Sequence, residues 1–483
     1  MEDKAQKRAP RLAKNVFLSV FAQGLSVVVS VILGFIVPKF IPETDYADWQ
    51  KFVLWLGYVG VLPLGLLDGI ILRYAQYDYD GLEKPRMRTL FTALFGWLSL
   101  LATAGCVLSL TLAQGEDRVV FFLVSVGILT SNLYAYNCYL YQITNRINLY
   151  VLFTLMQRIV YGIVIVICLF AGIGNFYWYC IAELAGHVVV FLAGIYSNRA
   201  CYFGKTLPLR EALTEIRDTT SVGFLLMAAN FSASLMVGGA KIAVEWRWDK
   251  LTFGQVAYSF SAVNLFVNFA TTISIVLFPF LKRLREEELP GLYRVIRGAV
   301  SPFLFAAMLG YFPLRWLLSY WLPKYGEAII YLGALLPLMV FSSKVSLLTN
   351  NYMKVYRKEG LMLYINLGSL AFGLALFALG AWVFSSIDFI LISVVLAMML
   401  RSVLCEAVVG RVIRQRMLPD FLAEFVMTAV FIASAKYLPL WYGCLAYAGA
   451  LLLYVILYRK QLMELLARYR ARNKSNGEAA HKN

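Results

Sequence analysis

The stretch "LYVLFTLMQRIVYGIVIVICLF" (Leu149–Phe170) carries a single charged residue, Arg158. At 1.5 Å per residue such a run covers the hydrocarbon core of a bilayer, about 30 Å thick. Placing a guanidinium near its middle costs roughly 3 kcal/mol on insertion scales, so the residue needs a reason. Arginine's planar fork donates two parallel hydrogen bonds, the geometry that suits a phosphate or a carboxylate. Three further cations, Arg315, Lys344 and Arg401, also lie inside apolar runs. Arg158 sits about nine residues, roughly 14 Å, from the nearer end of its run, close to the midplane. Lys344 and Arg401 fall in the inner halves of their runs and Arg315 in the outer third of its own, where long stems can snorkel to an interface. Glu406 is an alternative, structural partner for Arg401.

A buried ion pair is the bland explanation of Arg158. Glu183 and His187 stand four residues apart on the next run and share one helical face. Counted along the helices, Glu183 lies roughly 10 Å nearer the outer side than Arg158, and side chains that lean toward their own N-termini widen the gap. A direct pair is disfavoured, a link through His187 or water stays open, and the best reading is a ligand that brings the negative charge. Polar stripes supply further candidate contacts: Tyr134, Asn137 and Tyr141 in "SNLYAYNCYLYQITN", and Tyr258, Ser261, Asn264 and Asn268. Inside lipid such residues face protein or a wet cavity. Helix–helix hydrogen bonds and interfacial tyrosines are the alternatives. For ion coupling the candidates are Asp68, Glu183, His187 and Glu406, with Glu183 and His187 the preferred pair. Asp68 could instead pair with Arg73, and Glu406 could sit at the inner interface. The two histidines and seven scattered cysteines, none in CxxC spacing, argue against a metal site or disulfide frame. No G-x-x-x-x-G-K, G-x-S-x-G or H-E-x-x-H pattern occurs. Neither an enzyme nor a cofactor is expected.

The elements that must position these residues follow from composition. The chain has 483 residues, 60% hydrophobic and 15% charged, against about 25% charged in soluble proteins. Apolar runs predict an all-α integral membrane protein with about fourteen spans, near 15–38, 52–72, 90–113, 119–141, 149–172, 176–197, 219–240, 253–281, 298–322, 328–352, 361–384, 387–410, 421–438 and 440–458. The opening "MEDKAQKRAPRLAKN" reads as a basic leader, residues 1–14, and not as a cleavable signal. Of 44 Lys and Arg, 32 fall on the side of the N-terminus and 8 on the other. By the positive-inside rule both termini are expected in the cytoplasm. The net charge of +16 then reads as topology and attraction to anionic lipid, and nucleic acid is not expected as a partner.

The stretches "IPETDYADWQKFVL" and "RWDKLTFGQVAYSF" echo one another, with Tyr46-Ala47-Asp48 aligned to Phe253-Gly254-Gln255. The echo suggests two six-helix lobes, 15–197 and 219–410, joined by an amphipathic inner linker, 198–218. An additional hairpin, 411–458, and a basic tail, 459–483, follow. The opening "LAKNVFLSVFAQGLSVVVSVILGFIVPKFIPETDYADWQKF", with "GLLDGIILRYAQY" and "GAKIAVEWRWDKLTFGQVAYSFSAVNL", resembles the bacterial polysaccharide-type flippases of the multidrug/oligosaccharidyl-lipid/polysaccharide superfamily. Many members have twelve helices, and fourteen matches the lipid II flippase branch. The resemblance implies alternating access between two lobes around a cationic cavity. The cargo it implies is an undecaprenyl-pyrophosphate-linked oligosaccharide of the O-antigen, capsule or exopolysaccharide kind, moved across the bacterial inner membrane. A monomer is expected, surrounded by membrane lipid and working beside a polysaccharide polymerase or chain-length machinery. The competing readings are a cation-coupled multidrug exporter of the same superfamily and a scaffold of a synthesis complex.

Overall fold

The computed structural model describes Gly24 and residues 29–75, 77–281, 287–415 and 417–457. Every regular element among them is helical, as a bilayer requires of a chain whose backbone groups have no water to bond. This is an all-α integral membrane protein. Ten helices are long and apolar enough to cross a membrane, or twelve when each of two sharply bent pairs counts as one span, against the fourteen expected. Of the other two expected spans, the first is described only as α1 (Val29–Phe40), and the eighth is the 32-residue helix Lys250–Leu281. The leader 1–14 and the tail 459–483 lie outside the described residues. The described residues up to Lys241, with Trp248–Ala257, form one compact unit; Ile242–Arg247 and the described residues from Tyr258 onward form another.

The first unit contains α1, α2 (Glu43–Leu56), α3 (Leu66–Tyr74), α4 (Lys84–Leu112), α5 (Gly115–Ile143), α6 (Ile147–Phe170), α7 (Phe176–Ser197), the short α8 (Arg199–Tyr202) and most of α9 (Leu209–Arg247). The second expected span is broken: α2 and α3 meet at 53°. The cause is local. Pro63 brings no N–H, and Leu64 and Gly65 both take left-handed backbone, φ 54° and 89°. The break frees backbone carbonyls within the membrane, and side chains from neighbouring helices satisfy them. The Trp97 indole N–H donates to the Leu62 carbonyl at 2.8 Å, and the Asn132 amide donates to that of Val59 at 3.1 Å. Beyond the break α3 crosses α9 in backbone contact. A Cβ added at Gly69 would stand 1.9 Å from the Thr219 carbonyl oxygen, and one at Gly223 2.0 Å from that of Gly65. Glycine alone fits such a crossing.

The expected inner linker 198–218 does not form a separate interfacial helix. Only α8 and an irregular stretch precede α9, whose 39 residues begin at Leu209 and absorb the rest. At 1.5 Å per residue α9 is about 58 Å long, nearly twice the hydrocarbon core. Arg88 of α4 holds the irregular stretch through the carbonyls of Ala200 and Lys205. The two echoing stretches meet in this unit: Lys250 pairs with Asp48 at 2.5 Å, and a Cβ at Gly254 would lie 2.9 Å from that of Ala47.

The second unit contains most of α10 (Lys250–Leu281), then α11 (Leu289–Met308), α12 (Tyr311–Trp321), α13 (Gly326–Leu335), α14 (Pro337–Lys344), α15 (Asn350–Val355), α16 (Glu359–Ala378), α17 (Ile387–Val412), α18 (Leu418–Tyr437) and α19 (Leu440–Leu457). The tenth expected span is bent by 44° at Leu336–Pro337 and then relaxes into a π-helical turn, Val345–Thr349. Asn351 and Ser274 hydrogen-bond the carbonyls of Leu347 and Ser346 that this turn loosens. The hairpin expected as an appendage is built into the unit. The Tyr447 hydroxyl donates to the Phe305 carbonyl at 2.8 Å, Phe431 and Tyr447 meet edge to face at 4.9 Å, and Gly443 admits close approach to Ser434.

Candidate functional site

Four of the expected site residues come together in the first unit. Helices α6 and α7 run antiparallel through the short turn 171–175, and Gly186 lets the α6 backbone approach, since a Cβ there would lie 3.0 Å from the Gln157 carbonyl oxygen. His187 stacks on Tyr134 of α5 at 5.0 Å between centroids and 29° between planes. Its Nε2 lies 3.6 Å from Glu183 Oε1. Gln157, the residue before Arg158, donates to the same carboxylate oxygen at 3.1 Å. The buried His187 Nδ1 has no hydrogen-bond partner among the described residues. Arg158 is half-buried and its charge acts on His187, Tyr134 and Tyr161. Among the described residues no carboxylate pairs with it; the carboxylate at hand, Glu183, is taken by Gln157 and His187. The arrangement is a guanidinium beside an imidazole, a carboxylate and a phenol, which can receive an anion and can hold or release a proton.

The rest of the fifth-helix stripe goes elsewhere. Asn137 is fully buried, donates to the Phe191 carbonyl at 3.2 Å and accepts from the Tyr202 hydroxyl. Tyr141 packs on Phe153 and Val190, with Arg146 over its ring at 5.0 Å. Both fasten α5 to its neighbours, because the stripe turns away from the cluster as the helix advances. Asp68 lies within electrostatic reach of the Asn230 side chain of α9. Arg73, a possible partner for Asp68 on sequence, binds Glu215 at 2.7 Å and Thr219 at 2.6 Å instead. Glu215 is buried and also takes Arg86 and the Tyr74 hydroxyl. Sequence reasoning missed it because it lies where the linker was expected to be exposed.

In the second unit Arg401 is 7% exposed and its Nε has no hydrogen-bond partner among the described residues. Glu406 is not its partner. It belongs to a buried ion cluster with Lys344 Nζ at 2.5 Å and Arg297 Nε at 2.7 Å. Lys344 also binds Glu424 at 2.6 Å, and Arg297 reaches Glu424 and Asp420 at 3.3 and 2.7 Å. Two cations thus face three carboxylates contributed by α11, α14, α17 and α18. Lys344 is fully buried and does not snorkel. Arg297, Asp420 and Glu424 were missed as site residues; the i, i+4 acids of "LPDFLAEF" were the available signal. Arg315 donates to the Ala435 carbonyl at 2.8 Å, so it too holds the final hairpin. Asn264 and Asn268 are exposed, four residues apart on α10. No group of three or more His, Cys, Asp or Glu among the described residues could hold a metal ion.

No protein-family model and no curated protein sequence matches the chain. Solved structures do. A lipid II flippase MurJ in an inward closed conformation aligns with a TM-score of 0.65 and 13% identity, over 92% of this chain and 99% of that one. An inward-facing multidrug resistance MATE family transporter of the MOP superfamily aligns at 0.53 and 12%, over 85% and 98%. MATE in complex with MaD5 aligns at 0.50 and 14%, over 87% and 95%. At these identities the shared property is the fold, and the chain has the fold of these transporters.

Proposed function

We propose that the protein is a flippase of the MOP superfamily. It carries an undecaprenyl-pyrophosphate-linked oligosaccharide (an O-antigen, capsule or exopolysaccharide unit) between the leaflets of the bacterial inner membrane, with both termini cytoplasmic. The observation that carries the reading is Arg158: a guanidinium in the middle of an apolar helix, with no carboxylate on it among the described residues, in a polar cluster of a transporter fold. Pyrophosphate supplies the charge it lacks. Arg401, buried with an unused donor, is a second cation for the substrate, in the second unit, and Asn264, Asn268 and Tyr134 offer the sugar hydrogen bonds and a ring face. Glu183 and His187 are the coupling pair, and Asp68 on the broken span is a further proton acceptor. Lys344, Arg315, Asn137 and Tyr141 serve by position, holding helices that carry the others.

A second reading, export of a cationic drug, draws support from the likeness to the MATE transporters. It sits poorly with a cluster whose unsatisfied group is itself a cation. The test is a depletion strain analysed for lipid-linked oligosaccharide. The expected result is accumulation of the lipid-linked pool with loss of surface polysaccharide. An unchanged pool with normal surface polysaccharide overturns the assignment.

A further inference from the structure

A groove of about 830 Å³ opens on the first unit, away from the Arg158 cluster. Its walls are Leu64 at the α2–α3 break, Leu94 and Trp97 of α4, and Ile216 and Phe224 of α9. Trp97 is fixed there by its bond to the Leu62 carbonyl. The lining is almost wholly apolar and includes one charged side chain, Arg217. Arg217 is exposed and makes no hydrogen bond or ion pair with a described residue, whereas its neighbours Arg73 and Arg86 are both engaged by Glu215. Arg210, seven residues earlier, stands on the same face of α9.

From Leu213 to Phe224 the groove follows α9 for about 16 Å, about half the thickness of the hydrocarbon core. The charge lies toward the helix start and the apolar wall runs inward from it. We propose that this groove binds one anionic phospholipid, with its phosphodiester on Arg217 and an acyl chain lying toward Phe224. Charge decides the class. The lining offers a cation and no carboxylate, so a zwitterionic lipid would bring an ammonium with nothing to meet it. A polyprenyl pyrophosphate brings a more highly charged head than one guanidinium serves and a chain much longer than the groove. The bound chain rests on Leu64, so it props the bend of the second span. None of this depends on the cargo.

The test is native mass spectrometry of the full-length protein in mild detergent, supplied with phosphatidylglycerol or phosphatidylethanolamine. Wild type should retain one phosphatidylglycerol in preference to phosphatidylethanolamine. Arg217→Gln should lower phosphatidylglycerol retention about fivefold, the value of one basic residue at an anionic membrane surface, and leave phosphatidylethanolamine unchanged. Arg217 is exposed and unpaired, so this variant should elute and melt as wild type does. Ala93→Trp, which fills the groove, should abolish retention of both. Equal retention of the two lipids by wild type, or no effect of Arg217→Gln, overturns the proposal. Displacement of phosphatidylglycerol by equimolar undecaprenyl phosphate also overturns it and gives the groove to the carrier.

Discussion

Arg158 is where charge, depth and neighbourhood make the sharpest demand. Because no described carboxylate pairs with it, Arg158→Ala should insert and accumulate as wild type while transport is lost, and Arg158→Lys, which keeps charge without the fork, should transport partially. A hidden ion pair predicts otherwise: breaking one costs about 3–5 kcal/mol, and membrane abundance would fall. Quantitative immunoblotting beside a transport assay separates the two. The Glu183 carboxylate is shared by Gln157 and His187. Glu183→Gln preserves size and can still accept a hydrogen bond, so the protein should insert normally and lose coupled transport. Transport at the wild-type rate across a range of pH would remove the pair from coupling.

At the scale of elements, two helices that look continuous in hydropathy are broken, and side chains of neighbouring helices bond the carbonyls freed at the first break. The α3–α9 crossing leaves no room for a methyl group. Gly69→Ala should therefore cost about 1–3 kcal/mol through overpacking, read as a lower melting temperature in detergent. The ion cluster makes a signed prediction. Lys344→Met leaves three carboxylates facing Arg297 alone and should destabilise by about 3–5 kcal/mol. Glu424→Gln leaves two cations and two carboxylates and should cost much less. Thermal unfolding of the two variants side by side tests the order, and a reversed order would mean that Glu424, not Lys344, anchors α18.

Across the whole molecule, the echoing stretches of the sequence come together through Asp48–Lys250 and Ala47–Gly254. In the proposed flippase, movement of α10 against α2 during transport would break that contact within the first unit. With the native cysteines replaced, Ala47→Cys combined with Gly254→Cys should cross-link under mild oxidation once α2 and α10 separate slightly, because a Cβ at Gly254 would lie 2.9 Å from that of Ala47, closer than the about 3.5–4.5 Å a disulfide spans. Transport should stop and return on reduction. Unimpaired transport by the cross-linked protein would show that this contact stays closed throughout the cycle.

Apolar run length made the all-α membrane class and most of the spans legible in the sequence, because the bilayer imposes a length and a polarity that any chain must obey residue by residue. The depth of Arg158 and the i, i+4 relation of Glu183 and His187 were legible for the same reason, since helical rise and periodicity are local. The partners were not. That Glu215 collects Arg73, Arg86 and Tyr74, that Lys344 is consumed by Glu406 and Glu424, and that Asn137 and Tyr141 turn into packing all depend on residues 12 to 142 positions apart. Only the packing of helices against one another decides which distant groups share a low-dielectric site, where an unmatched charge is costly. Tertiary structure therefore sorted the cations, leaving Arg158 and Arg401 without carboxylate partners among the described residues while Lys344 and Arg315 hold the fold.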